Sequence, residues 1–225
     1  MKSLVELINR NIAFGKRFDF FGKKKATKKP PVITISRETG SGGRPIASLV
    51  AKKLGRPWKV YHKEIVEKIA KETMLEKELI SEIDDANIPS IDKLIFDFFG
   101  KGYPNLSNYY KHLVKIISTI GNRGHVIIIG RGADFLLSHA LKVRIICEMD
   151  QRINWLMEFE KMTRRQAIER INEFDRRRDQ FIKTLYHHDP KKAHHYDLVI
   201  RTGKDLSIKD AAEIIVRLAK RRFLL

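Results

Sequence analysis

The sequence predicts a three-layer α/β/α domain built on a five-stranded parallel sheet with a helical lid. Three observations carry that expectation. Short apolar runs rich in Val and Ile alternate with helical stretches, the pattern of a parallel sheet covered on both faces. A glycine-rich loop stands directly between the first apolar run and the first helix. Late in the chain the alternation is interrupted by a long, very basic helical stretch.

The first strand is VITIS at 32–36, closed by the glycine-rich loop. PIASLVAKKLG at 45–55 has helical periodicity and a glycine at its stop. WKVY at 58–61 is the second strand and HKEIVEKIAKE at 62–72 the helix after it. VIIIG at 126–130, VRIICE at 143–148 and DLVIRT at 197–202 supply three more strands, and SIKDAAEIIVRLAKRR at 207–222 the last helix. Residues 31–225 therefore read as one domain with two excursions, a substrate-side insert at 74–106 and a basic helical lid at 151–195. Residues 1–30 read as an extension. In it Leu4, Leu7, Ile8 and Ile12 recur at helical spacing before the basic linker KKKATKK. Either this segment is a short amphipathic helix that touches the domain, a partner or an anionic surface, or it is a disordered basic tail.

Composition narrows the function classes. A chain of 225 residues that is 43% hydrophobic can bury one sizeable core. No apolar run approaches the roughly 18 residues of a spanning helix, and the N-terminus lacks the apolar stretch of a secretory signal, so a cytoplasmic protein is expected. The single cysteine, Cys147, excludes a disulfide framework within the chain and reads as a buried small hydrophobe. The net charge of +18 points to anionic partners. Nucleotides or other phosphorylated small molecules rank above nucleic acid, because no aromatic-rich stacking block is present. His187, His188, His194 and His195 lack metal-ligand spacing and are placed on a solvated lid loop. Trp58 and Trp155 are read as packing residues.

The chemistry concentrates in SRETGSGGRP, residues 36–45. Gly40, Gly42 and Gly43 let the backbone curl around an anion, and the following helix start adds unpaired N–H groups. Gly42→Val is accordingly expected to fill the anion site and abolish binding there while leaving the fold intact. The loop departs from the Walker A pattern, which requires Gly at Arg37, Lys at Gly43 and Ser or Thr at Arg44. Arg37 and Arg44 are candidates for the missing positive charge, and Ser41 for a hydroxyl donor. Arg131 follows the apolar strand 126–130, at the sheet edge where ligands gather. Asp134, a turn later, is read as orienting Arg131, holding Mg²⁺ through water, or capping the helix. Tyr61 and Lys63 close the second strand at the same edge and are candidate substrate contacts.

These blocks resemble the cytidylate kinase-like family, a P-loop NTPase-like group whose members carry a Gly-Ser-Gly-Gly-Arg loop in place of Walker A. ITISRETGSGGRPIASLVAKKLG is similar to the family's opening. VYHKEIVEKIAKE resembles the next block, with His62 where an acidic residue is usual. VIIIGRGADFLL resembles the Gly-Arg-Gly-Ala-Asp segment, INEFDRRRDQFIKTLY the lid, and YDLVIRT the last strand, with Arg201 at a usual Asn. The resemblance spans roughly residues 32–220. It implies an ATP-dependent phosphotransferase of the nucleoside-monophosphate-kinase type, using ATP with Mg²⁺ and acting on CMP. It further implies catalytic roles for Arg44, Arg131, Asp175 and Arg178, with a donor site at Arg37, Gly40, Ser41, Gly42, Gly43 and Arg44. Cytidylate kinases proper have an Asp at Gly132 and Arg-Asp at Ile171 and Asn172. Those departures, with the missing Walker lysine, favour a nucleotide-binding regulatory protein as the alternative. A nucleic-acid-binding protein ranks third.

Overall fold

A computed structural model describes residues 29–62 and 106–225. Residues 1–28 of the N-terminal extension, Lys63, the rest of the helix expected over 62–72 and residues 74–105 of the insert lie outside the described residues.

The sheet has five strands, all parallel, in the order β2-β3-β1-β4-β5. They are β1 (Val32–Arg37), β2 (Lys59–Tyr61), β3 (Val126–Ile129), β4 (Leu141–Cys147) and β5 (Leu198–Thr202). Around them lie α1 (Gly43–Leu54), α2 (Leu106–Arg123), α3 (Ala133–Leu136), α4 (Met149–Glu160), α5 (Arg164–Tyr186) and α6 (Ile208–Phe223). The two-residue alternation of side chains splits the central strands between two cores. Ile33, Ile35, Ile127 and Ile129 meet Ile46, Val50, Ala211 and Ile215 of α1 and α6 on one face. Val32, Val126 and Ile128 meet Leu113, Ile117, Ile120 and Leu185 of α2 and the end of α5 on the other. This is the expected three-layer arrangement.

Two helices begin with capping boxes. Thr163 and Gln166 close the start of α5, and Ser207 and Asp210 that of α6. Such caps contribute about 1 kcal/mol each and fix where the lid helix begins. Helices α4 and α5 share a small core of Ile153, Leu156, Ala167 and Ile171, so the lid is braced by its own apolar contacts. Helix α2 was not anticipated; Leu113, Ile116, Ile117 and Ile120 carry the helical spacing that reveals it. The parallel arrangement brings the C-terminal ends of β1, β2 and β3 to one edge, where the glycine-rich loop, His62 and Gly130 meet.

Candidate functional site

The loop after β1 turns on glycines. Gly40 and Gly42 have φ of 76° and 81°, values that side-chain-bearing residues rarely adopt. Helix α1 starts with Gly42 as its N-cap and no side-chain cap, unlike α5 and α6. Its first N–H groups therefore receive no side-chain cap. Ser41 is fully buried. Its hydroxyl donates to the carbonyls of Glu38 at 2.9 Å and Ile145 at 3.4 Å, so it ties the loop to β4 and is turned away from the loop's mouth. A Cβ on Gly42 would lie 3.0 Å from Ile208 of α6. The expectation that Gly42→Val leaves the fold intact is thereby corrected: that glycine is required by its φ and by α6.

Arg37 lies in a trough made by two further glycines. A Cβ on Gly43 would come within 2.8 Å of the Arg37 Cβ, and one on Gly130 would collide with its guanidinium. The side chain thus runs from β1 across the end of β3, and its Nη2 lies 3.0 Å from Nε2 of His62. The position at which a Walker loop carries lysine is here the wall of the Arg37 trough.

The lid meets the loop through one carboxylate. Asp175 Oδ1 accepts from the Thr39 N–H and hydroxyl, both at 2.8 Å, while Oδ2 pairs with Arg152. Arg152 also donates to the Thr39 carbonyl at 2.6 Å and lies 3.6 Å from Glu38. Arg178 donates to the Thr39 hydroxyl at 2.8 Å and approaches Asp175 at 3.2 Å. Asp175 and Arg178, one helical turn apart, are brought to the same place. Arg177 turns aside to Glu173.

Two cavities flank the loop. One, of about 650 Å³, is lined by nine Lys and Arg and four Asp and Glu residues, with Arg37, Arg44, His62, Arg131, Asp134 and Arg178 among its walls. The other, of about 410 Å³, lies between the loop and Trp155, Phe159, Arg170 and Ile208. Arg37, Glu38, Arg44, Phe174 and Arg178 belong to both. Trp155, read from sequence as a packing residue, is a cavity wall.

Electrostatics follow from burial and the crowd of arginines. Burial lowers the pKa of Arg44, against a raising influence from Glu160. Burial, then the charges of Arg37, Arg44, Arg131 and Arg178, hold His62 down at about 2, so it is neutral. Asp134 is buried and pushed up to about 6, its own backbone N–H, Lys142 and Arg144 acting in the opposite direction. Asp134 lines the larger cavity together with Arg131 and Arg144. Tyr61 packs against the second core, and the residue that lines the cavity from that strand end is His62.

Sequence reasoning passed over a polar cluster under the loop. Arg144 donates to Ser36 at 3.2 Å, lies 3.9 Å from Glu38 and stacks over Tyr196, and the Cys147 N–H donates to Glu38 at 3.0 Å. The available signal was an arginine inside the otherwise apolar run VRIICE, since a buried charge needs partners.

This is an α/β domain with a glycine-rich loop between its first strand and first helix. The model of the cytidylate kinase-like family matches residues 32–204, and the chain belongs to that family. No curated protein matches it. Among solved structures, a protein from Eubacterium ventriosum is 19% identical with a TM-score of 0.63, covering 84% of this chain and 98% of its own. TT1252 from Thermus thermophilus is 14% identical with a TM-score of 0.51, covering 86% and 98%. Shikimate kinase from Acinetobacter baumannii, in complex with shikimate, is 14% identical with a TM-score of 0.47, covering 87% and 96%. The first two similarities bear on the fold. No helix among the described residues is long and apolar enough to cross a membrane.

Proposed function

We propose that the protein is an ATP-dependent phosphotransferase of the nucleoside-monophosphate-kinase type, with CMP as the acceptor to test first. The observation that carries the reading is the pair of cavities sharing Arg37, Arg44 and Arg178 across the glycine-rich loop. A donor whose base lies by Trp155 and whose phosphates lie on the loop would present its terminal phosphoryl group to an acceptor in the larger cavity. Phosphoryl transfer depends on positioning and charge neutralisation more than on covalent chemistry. Arg44 and Arg178 supply positive charge at the boundary, and Arg131 supplies it on the acceptor side.

ATP suits the loop: open N–H groups at the α1 start and flanking guanidinium groups match its phosphates. Mg²⁺ is implied by the family resemblance and takes one or two carboxylates together with phosphate oxygens. The carboxylates at the loop are Glu38 and Asp175, and both are already paired with Arg152. Ser41 is turned inward. The loop therefore offers this ion no uncommitted protein oxygen from those three residues.

The Thr39–Asp175 contact favours a second reading, a nucleotide-binding regulatory protein, because a carboxylate already holds one N–H of the loop. A phosphoryl-transfer screen with ATP against nucleoside monophosphates and small alcohols separates the two. ADP release dependent on one acceptor supports the kinase. ATP binding with no transfer to any acceptor favours the regulator.

A further inference from the structure

We propose that the edge of the sheet opposite the glycine-rich loop is a docking surface for an anionic lipid bilayer, formed by cations at strand starts and helix ends together with Leu224 and Leu225. This surface is independent of the kinase reading, because none of its cations lines either cavity.

The first support is the convergence of positive charge. All five strands are parallel, so their starts share one edge. Lys29 precedes β1, and Lys59 opens β2 with Arg56 just before it. The His125 N–H donates to the Pro31 carbonyl at 2.6 Å and the Lys59 N–H to the His125 carbonyl at 3.0 Å, which ties the starts of β1, β2 and β3 together. The helices end on the same side. Lys52 stands in the last turn of α1, Arg123 in that of α2, and Lys220 and Arg221 in that of α6. The end of α6 is held near β2 by Phe223 and Trp58, whose ring centroids are 6.3 Å apart. Cations in a last turn also offset the partial negative charge of a helix end, but Lys29, Arg56 and Lys59 end no helix. All of these cations are exposed, and among the described residues none of them forms an ion pair. The carboxylates Asp197, just before β5, and Glu213, on α6, are already held by Arg222 at 3.2 Å and Lys53 at 2.9 Å.

The second support is the apolar pair beside the cations. Leu224 is 77% exposed and Leu225 53%, and they follow Arg221 and Arg222 closely in the chain. Apolar side chains among cations suit the boundary between headgroups and acyl chains, and clustered Lys and Arg are drawn to anionic headgroups. A single-stranded nucleic acid would instead be served by exposed aromatic rings on which bases stack. Here Trp58 is buried and Phe223 packs against the core. The basic run KKKATKK ends in Lys29, so the chain enters the sheet at this edge with further positive charge directly before it in sequence.

The test is co-sedimentation of the full chain with vesicles of phosphatidylcholine alone and of phosphatidylcholine mixed with phosphatidylserine. An edge variant combines Arg56→Gln, Lys59→Gln, Lys220→Gln and Arg221→Gln. A control variant of equal charge loss combines Lys161→Gln, Lys192→Gln, Lys204→Gln and Lys209→Gln, exposed cations on the lid, after β5 and at the start of α6. A third carries Leu224→Ser and Leu225→Ser. Wild type is expected to bind the mixed vesicles and not the neutral ones, with affinity falling as salt rises. Each cation near an anionic surface contributes about fivefold, so the edge variant should bind about a hundredfold more weakly and the control less than about tenfold. The leucine variant should lose about tenfold, through the apolar contact. Failure of wild type to bind the mixed vesicles, equal binding to both kinds of vesicle, or equal losses in the edge and control variants overturns the surface. A single-stranded oligonucleotide titrated in parallel tests the other polyanion. Tighter binding to it than to the mixed vesicles, lost in the edge variant and unchanged in the leucine variant, overturns the lipid assignment in favour of nucleic acid.

Discussion

Asp175 of α5 accepts both hydrogen bonds that Thr39 of the loop has to give, each at 2.8 Å. A residue 136 positions away in sequence therefore fastens the lid to the glycine-rich loop. Asp175→Ala would leave buried Arg152 with Glu38 at 3.6 Å as its remaining carboxylate and would strip Thr39 of its acceptor. The expected cost is about 1–3 kcal/mol, the penalty for an orphaned polar group, read from urea unfolding. Asp175→Asn keeps one acceptor oxygen and should lose less. Unchanged midpoints in both variants would remove Asp175 from the supports of the fold.

Arg178 reaches the Thr39 hydroxyl and stands at the wall between the cavities. If it stabilises charge that develops only during transfer, Arg178→Ala should lower turnover on the order of 10³-fold, as arginine fingers do, with a much smaller change in ATP affinity. Arg176→Ala should have little effect. Turnover and nucleotide titration of both variants, with CMP as acceptor, decide it; equal small effects would reject the catalytic lid.

Gly42 carries a φ of 81° and faces Ile208. Gly42→Ala should cost roughly 1–2 kcal/mol in backbone strain, plus displacement of the Ile208 side chain. Combining it with Ile208→Ala should therefore cost less than the sum of the two single changes. A strictly additive double variant would show that the two residues do not press on each other.

A buried carboxylate and a half-buried imidazole give stability opposite pH dependences. Asp134, raised to about 6 from 3.8, holds its proton longer in the fold than in the unfolded chain. Its contribution is fully present below about pH 4 and is lost as pH rises through about 6. His62, lowered to about 2 from 6.5, resists the proton that the unfolded chain accepts. Its contribution is present above about pH 6.5 and is lost as pH falls toward 2. Asp134→Asn should make stability rise more steeply between pH 4 and 6, and His62→Gln should flatten the loss on acidification below 6.5. Unfolding midpoints across pH 4–8 test both slopes.

Much of the fold was legible because it depends on local pattern. Val32, Ile33, Ile35, Ile127 and Ile129 announce buried parallel strands, and Gly40 to Arg44 announce a tight loop between strand and helix. What could not be read was direction. Nothing in GSGG says that a Cβ on Gly42 would face α6, that the Ser41 hydroxyl turns inward, or that Tyr61 joins the core while His62 lines the cavity. Pairings such as Thr39 with Asp175 or Arg37 with His62 arise from the strand order, which no local spacing encodes. The charges themselves were visible, but their partners lie 25 and 136 residues away.

The trough that holds Arg37 makes Arg37 and Gly43 exchange as a pair. Grafting the common lysine into this loop by Gly43→Lys alone would drive a Cβ into the arginine stem, so the graft needs Arg37→Gly alongside it. Gly130 would then be relieved of its steric duty and keep only its backbone one, at a φ of 71°. An engineer converting one loop type into the other has to change the end of β1 and the start of α1 together, and either change made singly leads through a poorer protein.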